Sequence, residues 1–390
     1  MWDYLVWLLL PVAAASGWLA ARASNKSGHS VKTVSHSSQQ GYFKGLNYIL
    51  NEQPDKAIEV FVEMVQVDSE TVETHLALGN LFRKRGEVDR AIRIHQNLIA
   101  RPTLNVEQRA HALAELGQDY MSAGLLDRAE NIFSELENHT QYRSLALSSL
   151  RDIYQSEKEW DNAIKVTRNM ANLSRVERNR IIAQYYCELA EVAKEKNDTP
   201  LVKRHLKQAI GADPNCARAS LLQGDTEYAI GNLKSALRCY QRFVSQAPYL
   251  TDEVIERIYS CHQGLGTVKQ LCKELSASQG FAKGSKAGKL AFELFTEDQQ
   301  GRAGIEKAYA SFEDEPGMSS LINWLKLVSK DKACIEQNEL EKLLAVLFGM
   351  EEEKEGYRCQ HCGYVAKSLH WLCPSCKHWD SSRPINAVEG

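Results

Sequence analysis

The sequence predicts an all-α protein made of an N-terminal transmembrane helix, a superhelix of repeated helix pairs and a small C-terminal metal knuckle. Three observations predict this arrangement. The chain begins with an uncharged apolar stretch, its middle repeats a pattern of small and aromatic residues, and two Cys-x-x-Cys pairs follow. Its 390 residues exceed what one compact core usually holds, and 9 prolines suit a largely helical chain.

Composition limits the class of partner. The net charge is −3 at pH 7, and the apolar content of 44% is that of an ordinary folded protein. Such a balance offers no strongly basic surface, so we expect no nucleic-acid partner.

Residues 1–21 are predicted to form a transmembrane anchor. From Tyr4 to Ala21 the chain has 18 residues without a charge, which is just long enough for a helix to cross a bilayer. A cleaved signal peptide is the alternative, and the small residues 13–16 support it. Its positive start is missing, because the only early charge is Asp3. Basic residues follow the stretch, at Arg22, Lys26 and Lys32. This order favours a single-pass anchor with the body of the protein in the cytoplasm.

Residues 22–40 are rich in serine and are predicted to be a flexible linker. In residues 41–250, small, aromatic and alanine residues recur, often 34 positions apart. The recurring positions are Gly45, Tyr48, Ala57 and Phe61; Gly79, Phe82, Ala91 and His95; Gly117, Tyr120, Ala129 and Phe133; Tyr154 and Ala163; Ala209 and Pro214; and Gly224, Ala236, Tyr240 and Pro248. These residues resemble the tetratricopeptide repeat, whose helix pairs stack into a superhelix with a concave surface. We expect His95, at an aromatic position, to pack rather than to bind a ligand.

The pattern weakens in residues 251–355, where we expect degenerate helical repeats. Segments with helical spacing are 254–261, 268–275, 289–295, 304–312, 319–328 and 337–348. Glycines and a Pro-Gly pair separate them, and the acidic run 351–355 is expected to be a solvated hinge.

Residues 356–390 are predicted to be a small metal-binding domain. Ten residues separate its two Cys-x-x-Cys pairs, Cys359 with Cys362 and Cys373 with Cys376. Four thiolates at this spacing can surround one tetrahedral ion, and their softness selects zinc or iron. No coordination position stays open, which indicates a structural or sensing site. Two disulfides are the alternative, which a reducing cytoplasm disfavours.

Other cysteines and histidines are expected to lie outside this site. Six cysteines show no pairing pattern and are expected to be small buried apolar residues: Cys187, Cys216, Cys239, Cys261, Cys272 and Cys334. Three histidines near the four cysteines are not needed as ligands: His361, His370 and His378. Nearby aromatic residues, Trp379 among them, are expected to form a small core or a plug into the last repeats.

The knuckles Cys-x-x-Cys-Gly-Tyr and Cys-Pro-x-Cys resemble those of rubredoxins. More widely, the chain resembles the lipopolysaccharide assembly protein B family of Gram-negative bacteria. The stretches that carry this resemblance are LLLPVAAA (8–15), LGNLFRKRGEVDRAIRIHQ (78–96), YCELA (186–190), YRCQHCG (357–363) and CPSC (373–376). The resemblance implies one iron ion on the four cysteines. Zinc stays an alternative, because rubredoxins have a much longer segment between their knuckles.

The family resemblance also implies a function. Such proteins act at the cell inner membrane, where they promote degradation of the lipid A-committing deacetylase by the FtsH membrane protease and help to coordinate lipopolysaccharide assembly. We therefore expect a membrane-anchored adaptor with protein partners, which could also form a homo-oligomer. A redox-sensing or metal-sensing interaction protein is the alternative. An enzyme is not expected, because the sequence has no phosphate-binding glycine loop, no His-Glu-x-x-His and no Gly-x-Ser-x-Gly.

Overall fold

The computed structural model describes residues 34–51, 53–67, 72–277, 290 and 356–385. The chain divides into two compact units, Met1–Ile153 and Tyr154–Gly390. Within the described residues the protein is mostly helical, with one small sheet. This agrees with the predicted helical repeats and small C-terminal metal knuckle, but the all-α class did not include the sheet of that knuckle.

The first unit consists of antiparallel helix pairs. Its helices are α1 (Val34–Leu50), α2 (Pro54–Val67), α3 (Val72–Lys84), α4 (Val88–Ile99), α5 (Val106–Ser122), α6 (Leu126–Leu136) and the start of α7 (Arg143–Ser156). The turns of the second and third pairs use Gly86 and Gly124, which have φ angles of 85° and 72°. Only glycine takes this left-handed conformation without cost, so it ends the first helix and lets the chain reverse.

The predicted repeat positions form the contacts inside these pairs. An added Cβ at Gly45 would lie 2.5 Å from the Phe61 ring, and one at Gly117 would lie 2.7 Å from the Phe133 ring. Each glycine is therefore the space that the aromatic ring of the next helix fills. These positions support packing and not ligand binding, as expected.

His95 follows the same rule and also joins a buried polar network. Its ring packs against Gly79, and its Nδ1 lies 2.5 Å from Asp119 Oδ2. Both side chains are fully buried, and Arg83 donates to the other oxygen of Asp119 at 2.7 Å. The expectation that His95 packs is confirmed, but the sequence did not reveal its carboxylate partner.

The second unit continues with helix pairs of the same kind. It contains the end of α7, then α8 (Trp160–Asn169), α9 (Arg175–Glu195), α10 (Thr199–Ala212), α11 (Ala217–Ala229), α12 (Leu233–Gln246), a 3-10 helix (Pro248–Glu253), α13 (Ile255–Leu265) and α14 (Val268–Ala277). A capping box between Ser174 and Glu177 begins α9. Gly224 faces the ring of Tyr240, where an added Cβ would lie 2.5 Å from the ring.

A three-stranded antiparallel sheet follows in the same unit. Its strands are β1 (Tyr357–Cys359), β2 (Val365–Ala366) and β3 (Ser382–Pro384), in the order β2-β1-β3. Tyr357 pairs with Ala366 on one side and with Pro384 on the other. We call residues 356–385 the ribbon, because two loops with two cysteines each hang from this sheet.

Three expectations differ from the structure or fall outside it. Helix α1 begins at Val34, inside the predicted linker 22–40. No proline or glycine interrupts residues 34–40, and extending a helix costs less than starting one. The predicted anchor 1–21 and most of residues 278–355 lie outside the described residues. No helix of the described part is long and apolar enough to cross a membrane.

Candidate metal centre

The ribbon holds its four cysteines on two loops of matching geometry. In the first loop Gly363 N–H donates to Cys359 C=O at 2.9 Å, and in the second Lys377 N–H donates to Cys373 C=O at 2.9 Å. The two donors both have positive φ angles, 76° at Gly363 and 57° at Lys377. Each loop is therefore a tight turn that presents two sulfur atoms on the same side.

The four sulfur atoms lie close enough to hold one ion. Cys359 Sγ lies 3.7 Å from Cys376 Sγ, and Cys362 Sγ lies 3.7 Å from Cys373 Sγ. All four lie within 4.8 Å of one another. A tetrahedral ion with bonds of about 2.3 Å places its sulfur ligands about 3.8 Å apart. The donor set and its spacing therefore fit zinc or iron, and Cys362 is the exposed member.

The pKa values of these thiols show why four adjacent sulfurs favour a cation. Burial opposes the ionisation of Cys359, but Ser381 and the N–H groups of Cys362 and His361 outweigh it and lower its pKa to about 6. At Cys376 the loss of solvent and the neighbouring sulfurs raise the pKa to about 12. Four adjacent sulfurs cannot all carry negative charge alone, and a bound cation removes this conflict.

Trp379 joins the ribbon to the helices of the second unit. Its indole N–H donates to Gln155 Oε1 at 3.0 Å. Its ring meets Tyr185 edge-on, with centroids 5.8 Å apart, and meets Trp160 at 6.4 Å. The guanidinium of Arg218 lies 5.8 Å from the same ring. The expected plug is therefore present, and Trp379 enters between α7, α8 and α9.

A second set of contacts lies around the 3-10 helix. The Tyr357 hydroxyl donates to the Glu253 carboxylate, and the Arg383 guanidinium lies 4.3 Å from the Tyr249 ring centroid. Trp371 packs against the apolar core formed by α11 to α14. The ribbon is therefore held through strands β1 and β3, through Trp371 before its second cysteine pair and through Trp379 beyond Cys376.

Comparisons with known proteins agree with this geometry. Residues 357–384 match a family model described as a rubredoxin metal binding domain, and residues 74–110 and 187–250 match tetratricopeptide repeat models. Lipopolysaccharide assembly protein B of Escherichia coli K12 is 37% identical over 99% of both chains. The chain belongs to the lipopolysaccharide assembly protein B family.

A second member of the lipopolysaccharide assembly protein B family, from Haemophilus influenzae, is 32% identical and again covers 99% of both chains. Among solved structures, the C-terminal part of a TPR repeat-containing protein from Cytophaga hutchinsonii covers 68% of this chain and 98% of its own, with 10% identity and a TM-score of 0.40. The family resemblance stated from the sequence is thus confirmed by relatives that extend over nearly the whole chain.

The other cysteines of this family member are buried where the structure describes them: Cys187, Cys216, Cys239 and Cys261. Two of them meet, because Cys187 Sγ lies 4.0 Å from Cys216 Sγ. The pKa of Cys187 is raised by burial, and that of Cys216 is lowered by the hydrogen bond from Cys187. Their 29-residue separation concealed this contact from the sequence. Cys334 and the side chain of Cys272 lie outside the described part of the chain.

Two adjoining cavities between α10, α11 and α12, of about 260 and 510 Å³, share Lys203, Glu227 and Arg242, and together they form a polar cleft that is a second candidate site. Its charged lining residues include Lys203, Lys207, Glu227, Arg238 and Arg242. Glu227 binds Lys203 at 2.8 Å, whereas Arg242 donates to the neutral side chains of Ser220 and Gln223. The cleft therefore has a surplus of positive charge.

Proposed function

We propose that this protein is a membrane-anchored cytoplasmic adaptor that regulates lipopolysaccharide synthesis and assembly. The observation that carries the proposal is the full-length relationship to proteins named lipopolysaccharide assembly protein B. The helix pairs and the packed ribbon support a role in holding protein partners, because tetratricopeptide helix pairs offer extended surfaces for binding. The proposed route is FtsH-dependent proteolysis of the lipid A-committing deacetylase.

The anchor in residues 1–21 would concentrate this adaptor beside a membrane protease. A tether raises the effective concentration of a bound client without any new contact. Deleting residues 1–21 should leave the helical body folded and abolish control of deacetylase levels. Replacing them with an unrelated transmembrane helix of equal length separates tethering from specific recognition of a membrane partner. Full control by the untethered chain would contradict the proposal.

We propose that Cys359, Cys362, Cys373 and Cys376 bind one iron ion, with zinc as the alternative. Four thiolates leave no position for a substrate, so the ion would stabilise the ribbon. The full chain, purified under reducing conditions, should contain one ion that Cys362→Ser removes and Cys239→Ser retains. Visible absorption bands identify iron, and a colourless loaded protein identifies zinc. Equal metal content in both variants would refute the ligand assignment.

We propose that the polar cleft binds an acidic segment of the client. Its lysines and arginines outnumber its single carboxylate, and such charge complementarity speeds association and selects partners. Lys207 and Arg238 are exposed, so reversing their charge should not disturb the fold. Lys207→Glu with Arg238→Glu should weaken deacetylase binding about tenfold or more, whereas Lys194→Glu, exposed outside the cleft, should not. Equal binding by all three proteins would exclude the cleft.

A redox-sensing or metal-sensing interaction protein stays the second candidate. The exposed Cys362 and the direct packing of the ribbon on α7 to α9 favour it, because a change at the ion could reach the helices through Trp379. Iron with reversible bands and a redox-dependent affinity for the client would support this alternative. A zinc-loaded protein whose affinity for the client does not change with reductant would contradict this alternative.

A further inference from the structure

The ribbon carries two histidines that the four-cysteine centre does not use. The rings of His361 and His378 stack with centroids 3.5 Å apart and planes 19° from parallel. Both side chains are exposed, and one belongs to each cysteine loop. Neither ring is needed to complete the set of four cysteine ligands.

These rings lie beside a sulfur atom of the four-cysteine centre. One nitrogen of His361, one nitrogen of His378 and Cys376 Sγ all lie within 4.8 Å of one another. Bonds of about 2.0 Å to nitrogen and 2.3 Å to sulfur place tetrahedral ligands about 3.3–3.6 Å apart. Both rings are exposed, and turning them out of their stacked arrangement would let all three atoms bind one ion.

A hydrogen bond to the backbone fixes the ring of His378 beside Cys376. Its Nδ1 lies 3.0 Å from the carbonyl oxygen of Cys376, which can only accept a hydrogen bond. Nδ1 therefore carries the proton in the neutral ring, and Nε2 keeps a free lone pair. Metal-binding histidines commonly have this arrangement, in which a backbone carbonyl fixes the ring and its tautomer.

Charge favours a second cation at this place. Four thiolates around one divalent ion leave two surplus negative charges, and Cys376 is only partly buried. A bound thiolate keeps lone pairs that can bridge to another ion. Nitrogen and sulfur donors suit zinc and related transition metals, and they disfavour magnesium and calcium.

We infer that the ribbon has a second, solvent-facing site for a divalent transition metal of the zinc class, formed by His361, His378 and the bridging sulfur of Cys376. Three protein ligands leave one position for water or for a side chain of a partner. The site is separate from the proposed adaptor function, because it needs neither the anchor nor a client. It makes the outer face of the ribbon a place where zinc could join this protein to another.

Zinc stoichiometry tests the inference on the full chain. Protein whose four-cysteine centre has first been reconstituted with zinc is titrated with further Zn²⁺ against a chromophoric chelator. We expect two zinc ions per chain in the unaltered protein and in His370→Ala, the matched control in the same ribbon. His361→Ala and His378→Ala should each weaken the binding of the second zinc ion at least tenfold and leave the binding of the first unchanged. One zinc in every protein, or a second zinc that survives both substitutions together, would overturn the inference.

X-ray absorption distinguishes the bridged site from binding by histidine elsewhere. Two zinc ions that share a thiolate should give a metal–metal distance of about 3.5–4 Å, and His378→Ala should abolish that signal. A second ion without the metal–metal signal would refute the bridging role of Cys376.

Discussion

At the scale of single residues, stability depends on glycines that make room for aromatic rings. Gly224 and Tyr240 show this most clearly, because the ring is fully buried and its hydroxyl is fixed on Asp225 at 2.8 Å. Burial and this hydrogen bond therefore keep the Tyr240 ring from moving aside to make room for a larger residue at position 224. In the repeat signature, each glycine is therefore matched to the aromatic ring that fills the space beside it, and the two positions must be considered together.

We expect Gly224→Ala to lower the free energy of unfolding by about 1–3 kcal/mol, because the new Cβ would lie 2.5 Å from the Tyr240 ring. Gly211→Ala is the control, since nothing lies within 4 Å of its added Cβ. That helical position should gain about 0.5–1 kcal/mol. Urea unfolding measures both changes in the free energy of unfolding. If the two substitutions change it in the same direction, the packing argument is wrong.

Glu115 should make the first unit sensitive to acid. Burial opposes its charge, but hydrogen bonds from His111 and Arg83 and the charge of Arg83 prevail and lower its pKa from 4.5 to about 2. The unfolded chain therefore binds more protons than the native state across this interval, so stability is complete above pH 4.5 and falls toward pH 2. Its side chain is 20% exposed, which reduces the contribution to about 2 kcal/mol.

Glu115→Gln tests this linkage. At pH 7 the variant should be less stable than the unaltered protein by about 2 kcal/mol, and the difference should shrink as the pH approaches 2. Urea unfolding at several pH values measures it. A difference that stays constant over this range would show that the carboxylate charge does not stabilise the fold.

At the scale of elements, the ribbon depends on helices that lie far away in the sequence. Trp379 and Gln155 are 224 positions apart, yet they form one hydrogen bond. We expect Trp379→Ala to release the ribbon from α7 to α9 while its metal content stays unchanged. Hydrogen exchange should then show faster exchange throughout residues 356–385, at a cost of about 2 kcal/mol or more.

The control for this substitution is Tyr364→Ala. Tyr364 belongs to the same ribbon but is 42% exposed. Its removal should leave hydrogen exchange nearly unchanged. If both variants exchange alike, the packing of Trp379 does not hold the ribbon in place.

The local elements could be predicted from the sequence, but their distant contacts could not. Gly117 with Phe133 and Cys359 with Cys362 follow short-range rules of turn and repeat, which spacing reveals. At Trp379 the sequence shows only an aromatic residue near a metal knuckle. Its partners could not be predicted, because they are set by tertiary packing. Asp119 had a weak signal, as an acid between the repeat positions Gly117 and Tyr120, and this could have suggested a buried partner for His95.

At the scale of the whole molecule, two sources of stability coexist. The helix pairs bury their own apolar cores, whereas a ribbon of about 30 residues needs the binding energy of an ion. We expect a chelator at neutral pH to unfold residues 356–385 and to leave most of the helical circular dichroism signal. Cys362→Ser should have an unfolded ribbon and folded helix pairs even without chelator. Complete loss of the helical signal would show that the helix pairs also depend on the ion.

The Trp379 contact also sets an order of maturation. The ribosome completes Trp160 and Tyr185 well before the cysteine loops, and chains fold from their earlier segments onward. If the ribbon closes only with its proposed ion bound, a newly made chain presents an uncovered aromatic surface until that ion arrives. Metal supply would then set how many finished chains have Trp379 packed between α7, α8 and α9.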